Sequence, residues 1–415
     1  MLIKSLKGVL AAMAVTMLGA CSTPCDVSGR LCAPIDANTS APLAQPRDLR
    51  PAPSAQPALP EAEVQTMPVD SPDSQQAEAA APAGKLVRVG LLLPLRSANL
   101  RQPAEVLRAG FMAAHARDGA GYTVEVIESG DGAQEALDAY AQAVERSDIV
   151  VGPLARPAVS AVATSTAPRK PTIALNNPEA GTLVPPHMLV IGLSIEDEAR
   201  QAAAWVDREQ PGANALIVSG TAAWQRRIAT AFAEEWARLG HESQLVEIPS
   251  GNGYQTETSI GQLNDKIQTE SPNLIFAALD PFQARQVRGV IGANVPFYAA
   301  SSVNSRAVAG DSLPELDGMR MLDMPWVVQP DNATVMAYPR WNGASLGFDM
   351  ERLYALGIDA FRVAREVAQG RTSFELDGVT GKLKASFGNG ASQFSRTVPA
   401  AIFHGGTTRS IANGQ

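Results

Sequence analysis

After residue 85, short apolar runs that are typical of strands alternate with stretches whose apolar residues recur at helical spacing. The stretch 87–93, VRVGLLL, is apolar at consecutive positions, which is typical of a strand covered by helices on both faces. Pro94 ends this strand because proline cannot donate to a strand ladder. Further strands are predicted at 122–127, 149–151, 172–175 and 188–191, with apolar residues at helical spacing between them. Alternation of this kind predicts a parallel sheet in an α/β lobe.

The same alternation restarts at residue 215, which predicts a second lobe. Strands are expected at 215–218, 243–248, 274–278, 297–300 and 319–323, and helices at 221–239, 259–269, 281–291 and 349–369. The fold class is therefore α/β, with two Rossmann-like lobes that contain parallel sheets and are joined by a hinge of several chain crossings. We assign residues 85–205 and 340–370 to lobe 1, and residues 206–330 and 371–415 to lobe 2.

The first residues have the pattern of a secretory signal peptide, which we assign to residues 1–20. Lys4 and Lys7 precede an apolar run of about 13 residues, too short for the roughly 20 that span a bilayer. Leu-Gly-Ala at 18–20 then leads into Cys21 and resembles a bacterial lipobox, in which the cysteine is lipidated. We expect Cys21 to anchor the protein in the membrane, although a plain signal peptide with an incidental cysteine is the alternative. Ser22, rather than an aspartate, follows the cysteine, and by resemblance to Gram-negative lipoproteins this implies the outer membrane, with the body facing the periplasm.

Residues 21–84 are expected to form a disordered tether. Proline recurs there among alanine, glutamine, serine and glutamate, and few large apolar side chains are present to offset the entropy of ordering. Cys25 and Cys32 lie in this segment. They could form a disulfide in an oxidising periplasm or remain two free thiols.

Composition narrows the class of function. The 415 residues have a formal net charge of −8, which gives no basic field for nucleic acid. The four histidines are scattered and every cysteine precedes residue 33, so no metal site of the usual Cys/His kind is expected. The sequence has no nucleophile elbow, zinc-protease motif or Walker loop. We therefore expect neither an enzyme nor a resident cofactor.

Loops that follow the predicted strands are the candidate ligand cleft. In open α/β sheets, ligands lie at the carboxyl ends of the strands, beside the free N–H groups of helices. The candidates are Ser129, Gly152, Pro153, Leu154, Asn176 and Asn177 in the first lobe, and Thr221, Asp280 and Ser301 in the second. The alternative is that these residues simply form turns. Trp224 could stack on a ligand or pack on its helix, and the carboxylates at 196–198 are interpreted as first-turn helix residues.

Six segments, taken in order, resemble the LppC family of lipoproteins, known as penicillin-binding protein activators. They are VRVGLLLPL at 87–95, DIVVGPL at 148–154, PTIALNN at 171–177, DMPWVVQP at 323–330, RLYALGIDAFRVA at 352–364 and DGVTGKL at 377–383. The resemblance covers the chain after the tether and implies the type I periplasmic-binding-protein fold. Better-known members of the family carry a helical-repeat domain where this chain has only the tether.

Two hypotheses about function follow. The resemblance implies an outer-membrane lipoprotein that binds and activates a penicillin-binding protein, and so regulates peptidoglycan synthesis. The two-lobed pattern also suits a lipid-anchored small-solute receptor of a transporter. The sequence does not identify a small-molecule ligand.

Overall fold

The computed structural model describes residues 86–166, 170–251, 254–292, 294–305, 312–341, 347–388 and 390–411. The predictions about the signal peptide, the tether, Cys21, Cys25 and Cys32 lie outside these described residues. None of the helices in the described ranges combines the length and the apolar character that a membrane crossing requires.

The first lobe is built on a five-stranded parallel sheet. Its elements are β1 (Val87–Leu93), α1 (Arg101–Asp118), β2 (Tyr122–Glu128), α2 (Ala133–Arg146), β3 (Ile149–Val151), α3 (Arg156–Thr164), β4 (Thr172–Ala174) and β5 (Met188–Val190). The strand order is β2-β1-β3-β4-β5. Leu91 and Leu93 pack in a core with residues of α1, and Leu92 packs in another core with residues of α2 and α3. Helices therefore cover both faces of the predicted opening strand, and all three leucines are fully buried.

The second lobe begins with a helix and repeats the same alternation. Its first elements are α4 (Ile195–Glu209), β6 (Ala215–Ser219), α5 (Ala223–Arg238), β7 (Ser243–Glu247), β8 (Ser250–Gly251), β9 (Tyr254–Gln255), α6 (Glu257–Glu270), β10 (Leu274–Ala278), α7 (Pro281–Ile291), β11 (Phe297–Ala299) and β12 (Arg320–Leu322). Strands β7, β6, β10, β11 and β12 pair in parallel in that order.

The remaining elements return to the first lobe and then complete the second sheet. They are α8 (Pro325–Val328), α9 (Ala333–Met336), α10 (Phe348–Ala368), β13 (Ser373–Asp377), β14 (Lys382–Ser386), β15 (Gln393–Thr397), β16 (Ala400–His404) and β17 (Thr407–Ser410). Strands β13, β14 and β15 form a separate antiparallel sheet, whereas β16 and β17 add antiparallel strands to the edge formed by β12.

The division between the lobes differs from the predicted one in two places. Helix α4 packs in the core of the second lobe through Ala199 and Ala203, although residues up to 205 were assigned to the first. The sheet of β13–β15, assigned to the second lobe, buries Phe374 and Leu383 in the first-lobe core. Short hairpins bury one face wherever they lie, so their sequence does not reveal which lobe they cover.

Helices α1 and α10 pack closely in the first lobe. A Cβ atom built on Gly110 would lie 1.9 Å from the Tyr354 carbonyl oxygen, and one on Gly357 would lie 2.1 Å from the Leu107 carbonyl oxygen. Two glycines therefore allow the backbones to meet. The neighbouring Phe111 and Phe361 rings pack edge to face, with centroids 5.2 Å apart. This contact fixes α10, and with it the side chains that α10 carries towards the second lobe.

Candidate functional site

A cavity of about 940 Å³ lies where the chain crosses between the lobes. Its wall is formed by residues 192–195, 197, 198, 201, 224, 228, 280, 300–302, 305, 323, 324, 349, 352, 353 and 394–398. The carboxyl ends of β11 and β12 therefore open into it, as the rule for α/β sheets predicts. Leu193, Ile195 and Phe394 supply apolar surface, and the rest of the wall carries several charged groups.

Arg352 on α10 is the centre of a buried network in this wall. Its Nη2 atom donates to Asp323 Oδ2 at 2.7 Å and to the Ser301 carbonyl at 3.2 Å, and its Nη1 atom donates to Asp349 Oδ1 at 2.8 Å. The amide of Asn304 donates to the same Asp323 oxygen at 2.9 Å. Burial by itself lowers the pKa of Arg352, but the neighbouring carboxylates outweigh it and raise that pKa above its ordinary value.

Glu198 on α4 joins this network through Ser301. The Ser301 N–H donates to Oε1 at 2.6 Å, and the Ser301 hydroxyl donates to Oε2 at 2.8 Å. Burial raises the pKa of Glu198 to about 7, and the nearby Asp323 charge adds to the rise. Hydrogen bonds from Ser301 and the charge of Arg352 offset only part of it. This carboxyl group therefore titrates near neutral pH.

Arg396 on β15 holds the opposite side of the cavity together. Its Nη1 and Nη2 atoms donate to the carbonyls of Gly192 and Ile191 at 2.9 and 2.8 Å, and its Nε atom donates to the Thr380 hydroxyl at 3.0 Å. Burial lowers the pKa of Arg396 to about 10. From α4, the Gln201 side chain donates to the Arg396 carbonyl and so ties the second lobe to β15.

Two of the three predicted second-lobe residues line the cavity. Ser301 contacts Glu198 as described, and the Asp280 carboxylate caps α7 by accepting the Gln283 N–H at 2.9 Å. Trp224 also lines it, half-buried, so both earlier interpretations of that residue remain compatible with its position. Within the described residues, Thr221 is not part of the cavity wall.

The predicted first-lobe residues lie elsewhere among the described residues. Ser129, Gly152, Pro153, Leu154, Asn176 and Asn177 are not part of the cavity wall. Some of their polar groups bond to neighbouring segments: the Ser129 N–H donates to the Leu93 carbonyl at the end of β1, and the Asn176 amide donates to the Leu154 carbonyl at 3.1 Å. A Cβ atom on Gly192 would lie 2.7 Å from the Asn176 Cα atom, so this loop backs the cavity from behind.

The sequence analysis missed the residues that dominate the site. The rule used for the other strand ends also applies to Asp323, which directly follows β12, so that residue could have been found. The carboxylates at 196–198 do begin a helix, because the Ser194 hydroxyl oxygen accepts the Asp197 N–H at 3.0 Å. Nothing local distinguishes Glu198 from its neighbours. Across the described residues, no cluster of His, Cys, Asp and Glu side chains could hold a metal ion.

Solved structures identify the class to which this architecture belongs. The C-domain of LpoA from Haemophilus influenzae, described as a regulator of PBP1A, matches with a TM-score of 0.64 at 22% identity and covers 78% of this chain and all of that domain. A "putative branched-chain amino acid ABC transporter" from Chromobacterium violaceum matches with a TM-score of 0.65 at 32% identity and covers 76% of this chain and all of that one. The protein is a two-lobed α/β protein of the periplasmic-binding-protein-like class, so the predicted fold class is confirmed.

Comparison with protein families shows the family of this chain. The family described as "LppC putative lipoprotein" matches residues 80–389, and the chain belongs to it, as the sequence analysis predicted. The penicillin-binding protein activator LpoA of Klebsiella pneumoniae is 28% identical over an alignment of 271 residues that covers 57% of this chain and 38% of that protein. The chain therefore matches less than half the length of this curated relative.

Proposed function

We propose that the two-lobed body binds and activates a penicillin-binding protein, and thereby regulates peptidoglycan synthesis. The observation that carries the proposal is the match to the whole C-domain of a protein described as a regulator of PBP1A, within the LppC family. The relative from Klebsiella pneumoniae is itself named as an activator of a penicillin-binding protein. In this proposal, lipidated Cys21 holds the body at the outer membrane, facing the periplasm.

The chemistry of the cavity supports a protein that acts by docking. Its charged side chains already have partners within the protein: Arg352 pairs with Asp323, Glu198 accepts from Ser301, and Arg396 donates to three oxygens. Such pairs stabilise the wall of the cavity. An acid–base catalyst would instead need a carboxyl group aimed at a reacting atom, with a nucleophile beside it.

A reconstituted synthase assay tests the proposal. Purified full-length chain is added to a class A penicillin-binding protein in detergent, and binding and the rate of peptidoglycan synthesis are measured together. We expect a complex and a faster rate. The same enzyme without the added chain sets the basal rate. If the chain neither binds such an enzyme nor alters its rate, the proposal is wrong.

A small-solute receptor is the second candidate. The 940 Å³ cavity is large enough for a small organic molecule, and the Chromobacterium violaceum structure is described as a "putative branched-chain amino acid ABC transporter". A thermal-shift screen of amino acids and peptidoglycan fragments separates the two functions. A ligand at 100 times its Kd adds about 2.7 kcal/mol to the free energy of unfolding, which is a clear shift. A shift with one compound, without any effect on a synthase, would favour the receptor.

A further inference from the structure

Within the described residues, the chain crosses between the lobes three times, and the crossings are hydrogen-bonded to one another. The first lies between β5 and α4, the second between β12 and α8, and the third between β15 and β16. Arg396, where β15 leads into the third crossing, donates to the carbonyls of Ile191 and Gly192 in the first. In the second crossing, the Asp323 N–H donates to the Pro399 carbonyl of the third at 3.2 Å. The three crossings therefore form one connected unit.

Gln201 binds the third crossing from α4, which packs in the second-lobe core. Its amide nitrogen donates to the Arg396 carbonyl at 2.9 Å, and its amide oxygen accepts the Val398 N–H at 2.8 Å. The side chain thus bonds to the backbone at two points, as a neighbouring strand would. Strand β15, which carries Arg396, belongs to the sheet that packs on the first-lobe core, and Val398 packs against the cores of both lobes. This contact therefore joins the two lobes.

Arg352 makes a second contact between the lobes, from α10 in the first. It pairs with both Asp323 oxygens, at 2.7 and 3.2 Å, and donates to the Ser301 carbonyl at 3.2 Å. Asp323 and Ser301 lie just after β12 and β11 of the second sheet. Arg352 and Gln201 both line the 940 Å³ cavity. The wall of the cavity is therefore held from both lobes.

We propose that Gln201 and Arg352 act as two clasps that hold the lobes at one angle and make the body a rigid, two-lobed platform. Closure of a binding protein around a solute depends on a few crossing residues that can change their φ and ψ angles. Here side chains from both lobes bond to the crossings, so such a change breaks buried or half-buried hydrogen bonds, which is unfavourable. A partner that contacts both lobes then meets a preformed surface. The clasps do not depend on whether that partner is a synthase.

Distances between spin labels on the two lobes test the clasps. All three cysteines precede residue 33, so their replacement by serine in the full chain leaves the sequence of the described residues unchanged. Ala141 on α2 and Thr230 on α5 are exposed positions inside helices. Labels on A141C and T230C report the separation of the lobes by double electron–electron resonance. We expect one narrow distribution of distances, and a broad distribution or two separate distances would refute the proposal.

Variants of Gln201 test the first clasp in the labelled chain. Q201L removes both hydrogen bonds and keeps the approximate size of the side chain, so the distribution of distances should widen. Q201E can still accept the Val398 N–H but cannot donate to the Arg396 carbonyl, and should give an intermediate width. Q268L is the matched control, because Gln268 on α6 is an exposed glutamine of the same lobe, and it should leave the distribution unchanged.

R352K tests the second clasp, because lysine keeps the charge but cannot make the two-point contact with Asp323. Hydrogen exchange separates the two clasps: the Val398 amide should exchange about tenfold faster in Q201L and at its usual rate in R352K. Slow exchange along the buried strand β10 shows that each variant is folded. Faster exchange at Val398 without a wider distribution would mean that Gln201 is an ordinary structural contact. An unchanged distribution in either Q201L or R352K would therefore refute the proposal.

Discussion

Arg352 and Asp323 form a two-point ion pair across the boundary between the lobes. The Nη2–Oδ2 distance is 2.7 Å, the Nε–Oδ1 distance is 3.2 Å, and the side chains are 9% and 1% exposed. Replacement of Asp323 by asparagine would leave a buried guanidinium without its main partner. We expect D323N to lower the free energy of unfolding by about 3–5 kcal/mol, measured by urea denaturation.

Asp349 supplies the control for that measurement. It contacts the same arginine at 2.8 Å, but its side chain is 72% exposed. Water can replace its contact with the guanidinium, so D349N should cost no more than about 1 kcal/mol. If D323N and D349N lowered the free energy of unfolding equally, burial would not determine how strongly each carboxylate binds Arg352.

The crossing of α1 and α10 predicts a second, purely steric effect. The Cβ atom of alanine at Gly110 or Gly357 would meet backbone oxygen, which cannot rotate away, so each substitution should cost about 1–3 kcal/mol or more. Once one alanine has forced the helices apart, the second meets less resistance. We therefore expect the G110A/G357A double variant to lose less stability than the sum of the single variants.

Gly289 is the matched control for the helix crossing. It lies within α7, is exposed, and has open space where a Cβ atom would be built. G289A should therefore gain about 0.5–1 kcal/mol from helix propensity. A loss in G289A similar to that in G110A would mean that backbone conformation, and not the close contact, determines the cost.

Periodicity predicted the elements well, because β10 is buried along its whole length, β1 is buried from Val89 to Leu93, and amphipathic helices separate the strands. The strand-end rule also named Asp280 and Ser301, which line the cavity, since the rule depends only on the direction of parallel strands. It failed to place the first-lobe loops at the cavity, because their polar groups bind one another and nothing in a single loop indicates that.

The residues that hold the cavity together could not be found from local sequence. Arg396 binds the carbonyl of Ile191, 205 residues earlier, and Gln201 binds the carbonyl of Arg396 across 195 residues. Contacts over such separations depend on how the chain returns to the first lobe after β12. Arg396 lies in a hairpin, and nothing in the local sequence pattern distinguishes it from an arginine whose side chain is exposed to water. The hinge is therefore the part of the fold that sequence periodicity describes least.

Asp359 on α10 fixes the turn that leads into β14. Its carboxylate accepts the N–H groups of Val379 and Thr380 at 3.0 and 2.8 Å, and the Thr380 hydroxyl at 2.7 Å. D359A would leave buried backbone donors without partners, so we expect a loss of about 3 kcal/mol or more in urea denaturation. Asp377, the exposed last residue of β13, is the control, and D377A should change stability by less than about 0.5 kcal/mol. Similar losses in both variants would argue against this role.

The raised pKa of Glu198 predicts how stability depends on pH. Its ordinary value is 4.5 and its value in the folded protein is about 7, so the folded state holds a proton that the unfolded state has already released between these values. Stability should therefore fall as the pH rises from 4.5 to 7 and change no further on this account above 7. At 1.36 kcal/mol per pKa unit, the loss is at most about 3 kcal/mol, and less where water reaches the carboxyl group.

E198Q cannot lose a proton, so its urea midpoint should vary less between these pH values than that of the unmodified chain. Parallel curves for the two proteins would show that Glu198 is ionised in the folded state throughout.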